Sequence, residues 1–456
     1  MWDFNKGSLW VLGFAACGIL VAMRPPSPAS AQGLCFDPAV NYAVGANPAG
    51  VFTADLDGDE KPDLAVANYH DTTISILKNK GDGTFAAAVN YAVGSYPQSV
   101  FAADLDGDGD RDLAVANAGS GNVSVLKNNG NGTFVPAVNY VVGAAPSWVN
   151  AADLDGDGDR DLATANQDHN NVSVLKNNGD GTFAAAVNYA VGSYPQSVFA
   201  ADLDGDGDRD LAVANMNSDS VSVLKNNGDG TFAAAGKYEV GYKPLSVFAA
   251  DLLDGDGDQD LAVANNGSGN VSVLRNNGDG TFAAAGKYDV GGTPQPAIAA
   301  DLNGDGKPDL AVSNYAGCYV SVLKNIGGTT FAPPVNYAAG AFPQGLSAAD
   351  LDGDGDPDLV VANGGSNNVS VLINCTCNCP HQGDLAQNGG DGVIDVFDVI
   401  EEIGIAFSGG PDPRDLFCPK TRGDVNNDTV ADVFDVIYLI DHAFSGGPPP
   451  VDPCTL

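Results

Sequence analysis

Five aspartates crowd into the nine residues Asp104-Leu-Asp-Gly-Asp-Gly-Asp-Arg-Asp112. Carboxylates at alternate positions repel one another unless a cation sits among them. A hard divalent ion, calcium above all, takes six to eight oxygens and can be wrapped by such a run. Asp104, Asp106, Asp108 and Asp112 stand at loop positions one, three, five and nine. Position seven would give a backbone carbonyl, and Gly107 the sharp turn. A solubilising excess of acid explains the charge but not the spacing, which recurs seven times in 456 residues.

The elements that must hold these loops follow from the repeat. The last Asp of each loop falls at Asp63, Asp112, Asp161, Asp210, Asp260, Asp309 and Asp358, in steps of 49, 49, 49, 50, 49 and 49 residues. Each unit reads as four short strands. In the copy around the second loop, Ser99 to Asp104 is an apolar run that enters the loop, and Leu113-Ala-Val-Ala-Asn117 follows it. Val123 to Leu126 alternates with period two, Asn129-Gly-Asn-Gly132 is a hairpin signal, and Phe134 to Tyr140 is a fourth strand. No helical period occurs between 36 and 373, so the expected fold class is all-β, a ring of seven four-stranded blades. The Phe…Tyr strands end at Tyr42, Tyr91, Tyr140, Tyr189, Tyr238, Tyr288 and Tyr337, offset by one from the loops. The seventh blade therefore lacks an outer strand, and Phe36 to Tyr42 is expected to supply it. Such closure removes the free sheet edges.

These motifs, with Asn-Gly-Asp-Gly-Thr-Phe at 178–183, make residues 36–373 resemble the FG-GAP/VCBS repeats of integrin-alpha-like propellers. The resemblance implies calcium between the first and second strands of a blade. Its implied ligands are Asp55, Asp57, Asp59 and Asp63; Asp104, Asp106, Asp108 and Asp112; Asp153, Asp155, Asp157 and Asp161; and Asp202, Asp204, Asp206 and Asp210. They continue with Asp301, Asn303, Asp305 and Asp309, then Asp350, Asp352, Asp354 and Asp358. The fifth unit departs from the pattern: an inserted leucine puts Leu252 where the first Asp belongs, leaving Asp254, Asp256 and Asp260. Either Asp251 bulges inward there or the site weakens.

Residues 1–31 read as a secretory signal, with Lys6, an apolar run from Leu9 to Met23, and an Ala29-Ser-Ala31 cleavage site. A lipoprotein reading at Cys17 is disfavoured because apolar residues continue past it. An exported chain meets oxidising conditions. Cys35 precedes the closing strand and, by hairpin analogy, lies across from 374–377, so a disulfide to Cys375 or Cys377 is expected. The run Cys375-Thr-Cys-Asn-Cys379, with His381, could instead bind a metal. Cys318 stands where other copies have Gly and is expected to keep its thiol.

Composition changes near 380. Asp424, Asn426, Asp428, Asp432 and Asp435 take positions one, three, five, nine and twelve of an EF-hand-like loop, with Val430 at seven and Thr429 in place of the usual Gly at six. Val433 to Phe444 then reads as an amphipathic helix. Asp384, Asn388, Asp391, Asp395 and Asp398 form a related, irregular loop upstream, and both copies end in Ala-Phe-Ser-Gly-Gly-Pro. Paired calcium loop–helix units of this kind resemble a dockerin, which implies folding on calcium and docking to a cohesin-like domain. The expected organisation is a signal peptide at 1–31, the propeller at 32–374, a Cys-rich linker at 375–382 and the dockerin-like domain at 383–456.

A formal net charge of −38 argues against nucleic acid and against anionic membranes as partners. Calcium loops and hairpins should share one face of the ring. The other face carries the Gly-x-x-Pro turns and the loops after each second strand, where the copies disagree: Tyr69, His70, Asp71, Tyr96, Trp148, His169, Tyr194, Tyr242, Lys243, Tyr315 and Phe342. Exposed aromatics on a rigid scaffold suggest recognition, and drift on an unconstrained surface is the plain alternative. The expected function is a secreted or cell-surface-associated, calcium-binding, non-catalytic recognition or adhesion protein for a protein or glycan ligand. The alternatives are an extracellular polysaccharide-degrading enzyme and a structural spacer. Only four His occur, and no Ser/His/Asp or Cys/His constellation stands out, so no catalytic residue is assigned.

Overall fold

The computed structural model describes residues 34–375 apart from residue 329. The expected signal segment at 1–31, the residues Cys377, Cys379 and His381, and both loops of 383–456 lie outside the described residues. Seven four-stranded antiparallel sheets follow one another along the chain. In the second blade the inner strand is Pro97–Ala103, the second Asp112–Asn117, the third Asn122–Leu126 and the outer Val138–Val141. Among the described residues only two 3-10 turns, Gln167–His169 and Met216–Ser218, interrupt an all-β chain. No helix among them is long and apolar enough to cross a membrane.

Burial grades outward and explains the residue choice. The second strand, Asp112-Leu-Ala-Val-Ala-Asn117, is buried throughout, because a blade lies against both of its faces. Small Ala side chains let the neighbouring blades approach near the hub. The outer strand is largely exposed. It is also shorter than the expected Phe134 to Tyr140. Phe134 is drawn inward, bridges Asn128, and meets the ring of Tyr91 from the preceding blade edge-on at 5.3 Å. The ladder resumes only at Val138. In the fifth blade it is continuous over Phe282–Asp289, with one register shift.

The ring closes as the offset of the repeats requires. The last sheet runs Pro343–Ala349, Asp358–Asn363, Asn368–Leu372 and then Val40–Ala43 from the other end of the chain. Val40 faces Val371 and Tyr42 faces Val369, and Phe36 bridges Asn374. An apolar cluster fills each of the seven gaps between blades, that between the first and second holding Ala67, Ile74, Val100, Leu113 and Val115. An edge-on Tyr–Phe pair recurs at every gap, with centroids 4.9–5.4 Å apart. Such pairs contribute about 0.5–1.5 kcal/mol each beyond their buried area.

Cys35 and Cys375 form the expected disulfide, with Cα atoms 5.1 Å apart and a sequence separation of 340. The Cys375 N–H also donates to the Cys35 carbonyl at 2.9 Å. Cys318 is disulfide-bonded rather than a thiol. Its place in a loop told nothing of which cysteines meet in space. Replacing Cys35 and Cys375 by Ser should lower stability by about 2–5 kcal/mol, since the bond restrains a very long loop in the unfolded chain. Denaturant unfolding checks this, and an unchanged midpoint would show that the strand pairing alone holds the seam.

Candidate metal centres and the variable face

Each acidic loop is built around its first and last aspartates. In the second blade Asp104 accepts the Gly107 N–H at 2.8 Å and the Gly109 N–H at 3.1 Å, which coils the backbone around its carboxylate. Gly107 sits at φ +78°, the left-handed turn that its position requires. Asp112 is fully buried and accepts from Leu105 N–H at 3.0 Å and Asn128 N–H at 2.7 Å. Asp63, Asp161, Asp210, Asp260, Asp309 and Asp358 accept the equivalent pairs of backbone N–H groups. The ninth position is thus a buried brace as well as a candidate ligand.

Carboxylate oxygens converge within 4.8 Å of one another in sets that include Asp55, Asp57 and Asp63; Asp104, Asp106 and Asp108; Asp153, Asp155 and Asp161; and Asp202, Asp204 and Asp206. In the fifth blade the set is Asp251, Asp254 and Asp256. Asp251 therefore joins the candidate ligands that the sequence left in doubt. It accepts from Gly255 and Gly257 N–H much as Asp104 accepts from Gly107 and Gly109. The loop absorbs the extra residue because Leu252 and Leu253 both bury and both donate their N–H to Asp260. In the sixth blade Asn303 turns its amide onto Asp309 at 2.8 Å, and Asp301 accepts from Asp305 and Gly306 N–H. In the seventh, Asp350 accepts from Gly353 and Gly355 N–H, Asp352 from Asp354, and Asp354 from Asp356.

These sets fit a hard divalent cation. Every donor is an oxygen. One oxygen each of Asp57, Asp106, Asp155 and Asp204 is buried without a hydrogen-bond partner, and an orphaned buried carboxylate oxygen is costly. Burial pushes Asp63, Asp112, Asp161, Asp210, Asp260 and Asp309 up to about 6, and Asp358 up to about 8. Basic side chains supply part of the balance: Lys127 lies 3.2 Å from Asp106, with Lys78, Lys176, Lys225, Arg275 and Lys324 in the corresponding places. The seventh blade has Ile373 there, and burial raises Asp352 and takes Asp354 to about 6.

One set of residues escaped the sequence reading. Asn128 donates its side-chain amide to the Leu56 carbonyl in the preceding blade's loop at 2.7 Å and to Arg111 in its own blade at 2.9 Å. Asn79, Asn177, Asn226, Asn276, Asn325 and Asn374 reach back to Leu351, Leu105, Leu154, Leu203, Leu252 and Leu302 in the same way. All seven gaps are clasped alike. The signal was an Asn at one place in every copy, including Asn374 beside Cys375.

The opposite face carries the Gly-x-x-Pro turns. Gly143 packs against Asn166, where a Cβ would come within 2.5 Å of the amide carbon. The residue before each Pro takes positive φ in six turns: Asn47, Tyr96, Ala145, Tyr194, Lys243 and Phe342, at 51–58°. Tyr69 and Tyr96 stack at 5.1 Å with His70 beside them, and Tyr315 and Phe342 stack at 4.8 Å. Lys243 lies over the Tyr242 ring. Tyr96, Tyr242 and Phe342 stay 48%, 55% and 39% exposed. His169 is spent on the turn, its Nδ1 accepting the Ala144 N–H at 3.1 Å. Asp71 likewise accepts the Ala46 N–H.

The FG-GAP-like repeat model matches the chain in six successive segments, 55–115, 104–164, 153–213, 202–252, 253–312 and 301–361. The chain belongs to that family. No curated protein sequence matches it. The fold is similar to BBS1N in its complex with ARL6DN, with TM-score 0.55 and 14% identity over 75% of this chain and 98% of that one. It is also similar to a streptogramin B lyase, with TM-score 0.54 and 14% identity over 76% and 99%. Virginiamycin B lyase from Staphylococcus aureus gives TM-score 0.53 and 12% identity over 74% and 99%. Likeness at such identities shows the propeller alone, and these similar structures include lyases as well as BBS1N, so the fold does not decide activity.

Replacing Asn177 by Ala should cost about 1–3 kcal/mol, because the Leu105 and Arg160 carbonyls lose a buried donor. Thermal unfolding checks it, and a neutral result would remove the clasp from the account.

Proposed function

We propose that this FG-GAP-like repeat protein is a secreted, calcium-stabilised recognition or adhesion propeller without catalytic activity, binding a protein or glycan ligand through its variable face. The observation that carries this reading is the division between the faces. One face repeats the same acidic loop, brace and clasp at every blade. The other presents aromatic residues that differ from blade to blade, several of them exposed. Repetition suits a scaffold, and difference suits specificity.

Calcium, when bound, would supply positive charge among carboxylates that burial otherwise leaves uncompensated. The first, third, fifth and ninth residues of each loop would hold it, with Asp251 serving the fifth blade. The ninth Asp would fix the loop to its own hairpin, and the Asn would fix that hairpin to the preceding loop. The surface a ligand meets would then be held by the ring rather than shaped on contact. Of the histidines in the described part, His169 braces a turn and His70 packs edge-on against Tyr69 and Tyr96. That use of both supports recognition over hydrolysis. The segment 383–456 would act as a dockerin-like tether to a cohesin-like domain on a scaffold or cell surface.

Two outcomes follow. Chelation should lower the melting temperature sharply, at about 1 kcal/mol or more per loop when free calcium exceeds its dissociation constant tenfold. An unchanged melting temperature would refute structural calcium. On an array of glycans and surface proteins, binding should appear with calcium and vanish with chelator. Replacing Tyr96 and Phe342 by Ala should weaken that binding about tenfold or more with the melting temperature kept. Polysaccharide turnover, or binding indifferent to both substitutions, would contradict the recognition reading.

A further inference from the structure

In six blades a basic residue follows the last leucine of the third strand: Lys78, Lys127, Lys176, Lys225, Arg275 and Lys324. In the seventh, Ile373 follows Leu372. In the first five blades the basic residue pairs with the carboxylate at the third loop position. Lys78 lies 2.9 Å from Asp57, Lys127 3.2 Å from Asp106 and Arg275 2.5 Å from Asp254, with Lys176 and Lys225 on Asp155 and Asp204. Lys78 Nζ also donates to the Asn131 carbonyl in the next blade's hairpin at 2.6 Å, and Lys127, Lys176 and Lys225 donate to Asp180, Asp229 and Asp279 in the same way. The sixth blade has the uncharged Asn303 at the third position, and both Lys324 and Lys307 lie by Asp305, 3.7 and 4.0 Å away.

Ile373 takes the same space without the charge. A Cβ on Gly83 would meet Ile373 Cδ1 at 2.7 Å and Asp352 Cβ at 3.5 Å. A Cβ on Gly132, the equivalent glycine, would meet Lys78 Cε at 2.9 Å and Asp57 Cβ at 3.1 Å. The seventh loop keeps Asp350, Asp352, Asp354 and Asp358, and among the described residues no Lys or Arg pairs with any of them. Asp352 and Asp354 lie within side-chain hydrogen-bond reach of each other, as Asp57 and Asp59 do in the first blade. In the first blade Lys78 and Lys61 stand beside the pair. In the seventh the two carboxylates repel with no described cation between them.

This difference acts directly on a divalent ion. An ammonium beside a ligand carboxylate repels the incoming ion at short range. Against this, a partly exposed ion pair does little to hold an aspartate in place. Repulsion therefore outweighs preorganisation.

We propose that the residue after the third strand sets the calcium affinity of its blade, and that Ile373 makes the seventh loop the tightest of the seven sites. This rests on the acidic loops being structural calcium sites. It adds an order among them, with the seventh first and the sixth, which has one carboxylate fewer and two lysines, last. The placement matters to the ring. The seventh blade is built from both ends of the chain. The carbonyl of Leu351 in its loop accepts the Asn79 amide at 2.9 Å and the Gly83 N–H at 3.1 Å, both from the first blade. Asn374, beside Cys375, donates its N–H to Asp358 at 2.6 Å. Complete removal of calcium empties every loop, but at intermediate levels the blade that joins the chain ends keeps its ion longest.

Peptide-resolved hydrogen exchange of the full-length protein at stepped free calcium reads the blades separately, apart from the loops of 383–456. The Leu351 and Asn374 amides should become protected at about tenfold lower calcium than Leu105 and Asn128, and Leu302 and Asn325 should need the most. Ile373→Lys should raise the seventh-blade midpoint about tenfold, whereas Ile373→Met should leave it in place. Lys127→Met should lower the second-blade midpoint by about as much. One midpoint common to all blades, or midpoints that ignore both charge substitutions, would overturn the order and leave structural calcium standing. Protection that does not respond to calcium at any blade removes both. Should Ile373→Lys fail to fold, the order in the unaltered protein and the Lys127→Met shift still decide the matter.

Discussion

The structure depends on one buried carboxylate and one amide acting in relay. Asp112 ties the acidic loop of its blade, through Leu105 N–H, to the start of its own hairpin at Asn128. Asn128 then reaches across the gap to the Leu56 carbonyl in the loop before it. Seven copies of this relay run around the ring, and the last passes from Asn79 back to Leu351. Apolar clusters and Tyr–Phe pairs supply most of the cohesion between blades, but they are not directional. The relay sets register, because a carbonyl and an amide meet at one distance only. It also makes each acidic loop part of two interfaces, so whatever sits in the loop acts on the ring.

That coupling explains why the acidic loops can be so costly in isolation. A carboxylate buried as Asp358 is resists ionisation, and neighbouring aspartates make it worse. The lysines at most gaps answer only part of the charge, and Ile373 answers none. A bound divalent cation would turn the least favourable feature of the sequence into its fastener. The opposite face has no such burden. Its strain is of another kind, positive φ at bulky residues such as Tyr96, Tyr194 and Phe342 before the prolines.

Much of this was legible in the residues. The step of 49, the four-strand unit, the offset that calls for closure and the Cys35 partner all follow from position in the repeat, because each copy must solve the same packing problem. What was not legible depends on geometry between copies. The extra leucine removed Asp251 from its expected place in the line, yet folding returns it to the cluster by burying Leu252 and Leu253 together. The clasp asparagines read as ordinary hairpin residues until the neighbouring loop is placed beside them. Cys318 shows the same limit, since a loop position does not say which cysteines come together.

The central claim is that a cation in the acidic loops fastens the blades to one another. Hydrogen exchange at the Leu105 and Asn128 amides, and at their six counterparts, followed with calcium and with chelator, reads this most directly. The account predicts strong protection with calcium and a loss of protection across all seven gaps together when it is removed. Protection that is the same in both conditions, or lost only within the loops while the clasp amides stay protected, would contradict it.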